Sequence, residues 1–114
     1  MNNQFISYSI FEKIDIRLGT IIKAEEYDKL KKPSILLEID FGENIGVKRS
    51  SAQLRKNYEA SDLINMQVIA VINFEPKQIG KIISEVLVLG LPDEKNEPIL
   101  ISPPYKLNNG VRLY

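Results

Sequence analysis

Residues 67–90, QVIAVINFEPKQIGKIISEVLVLG, place two β-branched apolar runs on either side of a short basic loop, and no other segment restricts the fold as much. Val68 to Phe74 and Val86 to Leu89 read as buried strands, because runs of this length and composition suit a pleated surface covered on both faces. Between them Pro76 fixes one backbone angle, Gly80 permits a tight bend, and Lys77 and Lys81 add positive charge. The expected product is a rigid, partly basic hairpin loop followed by a hydroxyl, Ser84, and a carboxylate, Glu85.

The rest of the chain supplies further strands. Tyr8 to Lys13 is expected to form a short amphipathic helix that sets Ile10, Phe11 and Ile14 against the core. Asp15 to Glu26 reads as a long first strand, with Gly19 as the point where it coils or bulges. The charged turn Tyr27 to Pro33 leads into Ile35 to Phe41, where Glu38 and Asp40 alternate with Leu37, Ile39 and Phe41 as in a half-buried antiparallel strand. Gly42-Glu43-Asn44 is a turn, Ile45 to Arg49 a third strand, and Ser51 to Tyr58 a short helix with Ser51 as its N-cap. Gln67 to Phe74 and Ile82 to Leu89 complete five strands. Near the end lie an apolar patch at Ile99 to Ile101, then Pro103-Pro104-Tyr105 and a turn at Asn108-Asn109-Gly110. Periodicity alone gives a small, mainly all-β barrel or sandwich.

Composition excludes several function classes. The chain has 114 residues, which predicts one domain of a size at which a subunit interface often adds burial. With 44% hydrophobic and 26% charged residues, it has the balance of a folded chain. No apolar run approaches the ~18 residues of a membrane span, and the start has no basic segment followed by an apolar one. A cytoplasmic protein without membrane insertion is expected. The absence of both Cys and His removes thiol nucleophiles, imidazole bases and the usual zinc ligands, so no metal or other cofactor is expected. The phosphate-loop, dinucleotide and nucleophile-elbow signatures are also missing, which argues against an enzyme of common design. The 15 basic and 15 acidic residues cancel, but from Lys48 to Lys81 six basic residues face three acidic ones. That local excess suits one modest phosphate-facing surface as well as it suits a solvated face.

Four motifs in order carry a family resemblance. They are Phe11 with Asp15-Ile16-Arg17-Leu18-Gly19-Thr20-Ile21; Asp40-Phe41-Gly42 with Ile45-Gly46; Ser50-Ser51-Ala52-Gln53-Leu54; and Asn73-Phe74, Pro76-Lys77 and Ser84-Glu85-Val86-Leu87. Spread from Phe11 to Gly110, they resemble the free-standing tRNA-binding domains and most closely the CsaA-type secretion chaperones. The resemblance implies a five-stranded OB-fold Greek-key barrel with short helices at the N-terminus and between the third and fourth strands. It also implies a twofold dimer. The apolar terminal segments 1–14 and 98–114 are the expected interface, the alternative being that they cover the barrel ends.

Candidate RNA-binding residues are Arg49, Ser51, Gln53, Asn73, Lys77, Lys81, Ser84 and Glu85. The lysines suit phosphate, and Ser84 and Glu85 suit a base edge or a ribose hydroxyl. Each also has a structural alternative: Asn73 could fix the loop, Glu85 pair with a nearby lysine, Ser51 and Gln53 cap a helix. Arg17 beside Asp15 reads as a surface ion pair of small worth. The loop departs from the family pattern in having Lys77-Gln78 where two basic residues are usual, Gly80 displaced by one position, and Ile83 before the serine. Ile79, Ile82 and Ile83 make it unusually apolar, so Phe74, Ile79 and Ile82 are candidates for holding peptide. The resemblance therefore leaves two properties that can share one surface, tRNA binding and the holding of unfolded preproteins for the export machinery. A third reading is an accessory RNA-binding domain acting in trans on an aminoacyl-tRNA synthetase.

Overall fold

The computed structural model describes residues 4–114, so residues 1–3 of the expected interface segment 1–14 lie outside the described part. The main sheet contains β1 (Ile16–Tyr27), β2 (Ser34–Asp40), β3 (Val47–Ala52), β4 (Gln67–Val71) and, after a hairpin, Leu87–Val88. Labelled in chain order, the hairpin is β5 (Lys77–Ile79) with β6 (Ile82–Ser84), Leu87–Val88 is β7, and a second hairpin pairs β8 (Gly90–Pro92) with β9 (Pro98–Leu100). The main sheet runs β3-β2-β1-β4-β7, all antiparallel, and curls into an OB-like fold.

β1 serves two neighbours because it bends. Its first half pairs with β4 from Ile16 to Thr20, and its second half pairs with β2 from Thr20 to Tyr27. The register slips between Ile21 and Lys23, so Ile22 is the extra residue of a bulge, which adds the coil a closing sheet needs. Gly19, the expected bulge, pairs regularly with Val68 instead. It is needed for clearance: a Cβ there would stand 2.6 Å from Ile39 Cγ2 and 2.8 Å from the Phe41 ring. Phe41, Ile39, Leu37, Ile35, Ile21, Val68 and Leu63 fill the interior with essentially no exposure.

Three other expectations are corrected. The helix expected over Ser51–Tyr58 is absent: Ser51 and Ala52 extend β3, residues 55–57 turn, and the helical insert is α2 (Ala60–Leu63). Pairing of Ser51 with Leu36 and of Ala52 with Ile35 overrides the local helix propensity. The expected strand Ile82–Leu89 is broken at Glu85-Val86, whose N–H groups both point at the Arg49 carbonyl, whereas Leu87 and Val88 turn to β4. The N-terminal helix α1 (Tyr8–Phe11), capped by the Ser7 hydroxyl accepting from the Ile10 N–H, buries none of its residues.

The C-terminal tail continues the sheet. Where β1 lacks β2, residues 110–113 take its place: Gly110 N–H donates to Leu18 O at 2.7 Å, Leu18 N–H to Val111 O at 3.0 Å and Leu113 N–H to Ile16 O at 2.9 Å. The nearly buried Gln67 amide grips the tail at both atoms of Leu107, giving to its carbonyl at 2.7 Å and accepting from its N–H at 3.0 Å. Arg17 is more than a surface pair, since it bonds Asp15 at 2.6 Å and the Gly110 carbonyl at 2.9 Å with its side chain 27% exposed. Arg112 donates to Glu12 O at 2.6 Å, which brings the two termini together.

Candidate nucleic-acid interface

The barrel closes between β3 and the segment Ser84–Val86 by a seam made largely of side chains. The Glu85 N–H donates to Arg49 O at 2.8 Å, and Arg49 returns its own N–H to Glu85 Oε1 at 3.0 Å. One step along, the Ser51 N–H donates to Ser84 Oγ at 3.1 Å. On the inner side, the buried Ser50 hydroxyl donates to Val86 O at 3.0 Å. Ser84 and Glu85 thus stand in for the backbone partners that an edge strand would otherwise lack, satisfying amide donors that cannot be left bare. The Arg49 guanidinium also lies 3.5 Å from Glu85, so this carboxylate pairs with an arginine and not with a lysine of the loop.

β5 and β6 form a separate two-stranded sheet whose β6 lies beside β3, and grooves open around it. One groove of about 540 Å³ is lined by Ser51, Phe74, Lys77, Ile79, Ser84 and Glu85, with Glu75 and Leu87 beside them. Six residues expected from the sequence to bind RNA or peptide meet there. Phe74 is 56% exposed, so its ring face is available to a ligand. Gly80 turns the hairpin with φ +61°, as its position in the sequence predicts.

The remaining expected residues are placed elsewhere. Lys81 and Ile82 line a different, smaller groove of about 170 Å³ shared with Lys23, Glu25, Glu38 and Arg49, where the carboxylates offset the cations, although Ile82 pairs directly with Ile79 across the hairpin. Asn73 holds a joint: its Oδ1 accepts from Asp15 N–H at 2.9 Å and its Nδ2 donates to Lys13 O at 2.8 Å, tying the hairpin base to the segment after α1. Gln53 lines a third groove of about 600 Å³, which shares Ser51 and Ile79 with the first.

This third groove contains residues the sequence reading treated only as a charged turn. Lys29, Lys31 and Lys32, from the loop between β1 and β2, form one wall, and Ile79 and Gly80 form the other. The two loops touch, since a Cβ at Gly80 would lie 3.1 Å from Leu30 Cδ2. The signal in the sequence was KLKK itself, but only the curl of the sheet brings that run to the hairpin.

Among the described residues no group of three metal-ligating side chains occurs, and no helix is long and apolar enough to cross a membrane.

An OB-like barrel with a basic and apolar groove where its first strand-connecting loop meets the hairpin before its last strand is a ligand-binding module by architecture. The chain belongs to the family described as "Putative tRNA binding domain", whose model matches residues 16–112. Among solved structures it is similar to the chaperone CsaA of Bacillus anthracis, at 42% identity and a TM-score of 0.91, covering 97% of this chain and all of that one. It is also similar to the CsaA chaperone protein of Picrophilus torridus, at 44% identity and a TM-score of 0.88, covering 96% of this chain and all of that one. A curated relative, the methionine–tRNA ligase of Methanococcoides burtonii, is 33% identical over 109 residues, which is 96% of this chain but 16% of the ligase.

Proposed function

We propose that this protein is a non-catalytic tRNA-binding module whose binding surface is the groove at the barrel seam. The observation that carries the reading is the convergence of Ser51, Phe74, Lys77, Ile79, Ser84 and Glu85 on one groove. In OB folds the face and loops of this region take oligonucleotides. Lys77 supplies a phosphate contact, the Phe74 ring a stacking platform, and the free oxygen of the Glu85 carboxylate an acceptor for a base amino group or ribose hydroxyl. Membership of the tRNA-binding family supports the choice of tRNA. The similarity to a short part of methionine–tRNA ligases supports an accessory role beside such a synthetase.

A second activity on the same surface has its own support. Phe74 and Ile79 give the groove an apolar floor, and both similar CsaA structures are of chaperones. The holding of unfolded preproteins for export is therefore proposed as a companion property, in the cytoplasm where such clients are made. The termini supply a motive for a homodimer: Phe5 is 87% and Tyr114 95% exposed, with Ile6, Tyr8, Ile10 and Ile14 also open to solvent.

The test is a titration with unfractionated tRNA and with an unfolded preprotein peptide, each at two salt concentrations, on protein whose mass in solution is known. Binding of tRNA that weakens steeply with salt is expected. Salt-tolerant binding of peptide with no binding of tRNA would overturn the primary reading and leave the chaperone one.

A further inference from the structure

The segment that carries Phe74 is tethered at one place. Residues 72–76 lie between β4 and β5 and belong to neither strand. Among the described residues, their hydrogen bonds outside the sheets all go to Lys13 or Asp15. The Ile72 N–H donates to Asp15 O at 2.9 Å, Asn73 Oδ1 accepts from the Asp15 N–H at 2.9 Å, and Asn73 Nδ2 donates to Lys13 O at 2.8 Å.

The tether is itself held by the other end of the chain. Arg112 donates to Glu12 O at 2.6 Å and to Ile14 O at 3.4 Å, and its Nε lies 3.5 Å from the Asp15 carboxylate, which Arg17 also grips at 2.6 Å. These bonds do not serve the packing of α1, which buries none of its residues. What they fix is the entry to the hairpin, where Phe74 follows Asn73 and presents a ring that is 56% exposed. A ring fixed before its ligand arrives loses less conformational freedom on binding. Asn73, Asp15 and Arg112 line no part of the Phe74 groove, so they reach a ligand there only by way of that ring.

We infer that Asn73, Asp15 and Arg112 are positioning residues for the groove, and that the C-terminal tail, by holding residues 12–15, sets the Phe74 ring for its ligand from outside the site. This rests on the RNA-binding reading above and deepens it by naming what presets the stacking platform.

The experiment is a pair of double-mutant cycles on the full chain, with tRNA affinity measured across a salt series. Asn73→Ala and Arg112→Ala are each made in wild type and in Phe74→Ala. Each is expected to weaken binding in the wild-type chain by about fivefold, the worth of a weakly stacked base, and to cost nothing further once the ring is gone. The salt slope stays that of wild type. A slope shallower by ~0.7 or more in Arg112→Ala would make that guanidinium a phosphate ligand and overturn the inference. Losses that simply add to that of Phe74→Ala overturn it as well, since the residues would then act by another route. Asn57→Ala, which removes a 3.0 Å bond to Asp93 in the β8–β9 turn, controls for lost stability and keeps the wild-type affinity; an equal loss there traces the effect to stability and also overturns the inference. If Asn73→Ala folds poorly, Arg112→Ala, at a side chain 43% exposed, carries the same cycle. Wild-type affinity that falls with Phe74→Ala while Asn73→Ala and Arg112→Ala match wild type sinks this inference alone. Wild-type protein that binds no tRNA, or binds it as well without the ring, sinks the groove reading with it.

Discussion

Ser84 Oγ accepts the backbone N–H of Ser51 at 3.1 Å, so a side chain closes the barrel where a neighbouring strand would normally do so. Together with the reciprocal bonds between Arg49 and Glu85, this makes the Ser-Glu step of the family motif a clasp. Replacing Ser84 with Ala leaves the Ser51 N–H without its partner and is expected to cost about 1 kcal/mol. Denaturant unfolding and hydrogen exchange at Ser51 measure this. Faster exchange with lower stability fits the clasp, whereas unchanged stability with lost RNA affinity would make Ser84 a contact residue alone.

Lys77 and Lys81 line different grooves and are expected to behave differently. Lys77→Ala should make the salt dependence of tRNA binding shallower by about one contact, ~0.7 to 0.9 in slope. Lys81→Ala, in a groove with Glu25 and Glu38, should change it less. Equal effects in salt titrations of the two single variants would contradict this division.

Gly19→Ala tests the core. The added methyl would meet Ile39 and the Phe41 ring at 2.6 to 2.8 Å, inside a wall that is already filled. Overpacking of this kind costs about 1–3 kcal/mol, read as a lower urea midpoint with an unchanged m-value.

Phe74→Ala separates ring contact from phosphate contact in the groove. Loss of an exposed apolar ring should weaken peptide binding and RNA stacking, yet leave the salt slope for RNA as it was, because no cation is removed. A shallower slope in this variant would mean that the ring positions the lysines.

The turn of the β8–β9 hairpin has a pH signature. The Asp93 carboxyl is held below the ordinary carboxylate range first by the Glu97 N–H, then by the Asn57 side chain, with a smaller part from the Lys95 N–H. A carboxyl lowered in the folded state contributes stability that is complete above its unfolded pKa, about 3.9, and lost as pH falls through the lower folded value. The difference in thermal midpoint between wild type and Asp93→Ala should therefore be largest at neutral pH and narrow in acid. An equal difference at both would remove the charge from the explanation.

The alternating strands were legible because their burial repeats every second residue: Ile35, Leu37 and Ile39 are buried, and Glu38 and Asp40 are less so. What failed was decided by distant partners. Ser51-Ala52-Gln53-Leu54 has local helical character, but Ser51 lies between Leu36 on one side and Ser84 on the other, and the strand prevails. The break at Glu85 depends on the Arg49 carbonyl across the seam, which no local pattern encodes. Gly19 signalled a special backbone position, but what it answers is the Phe41 ring in another strand. The binding groove was half visible. The motif from Asn73 to Leu87 named the hairpin side, whereas KLKK acquires a position only when the curl of the sheet sets Leu30 on Gly80.

The central claim is that tRNA lies in the groove at the barrel seam, and the most direct test is to photocrosslink bound tRNA to the protein and map the modified residues by mass spectrometry. The account predicts adducts at Phe74, Lys77 and neighbouring residues of the hairpin, competed away by unlabelled tRNA. Specific adducts confined to the opposite end of the barrel, around Tyr105 and Lys106, would contradict it.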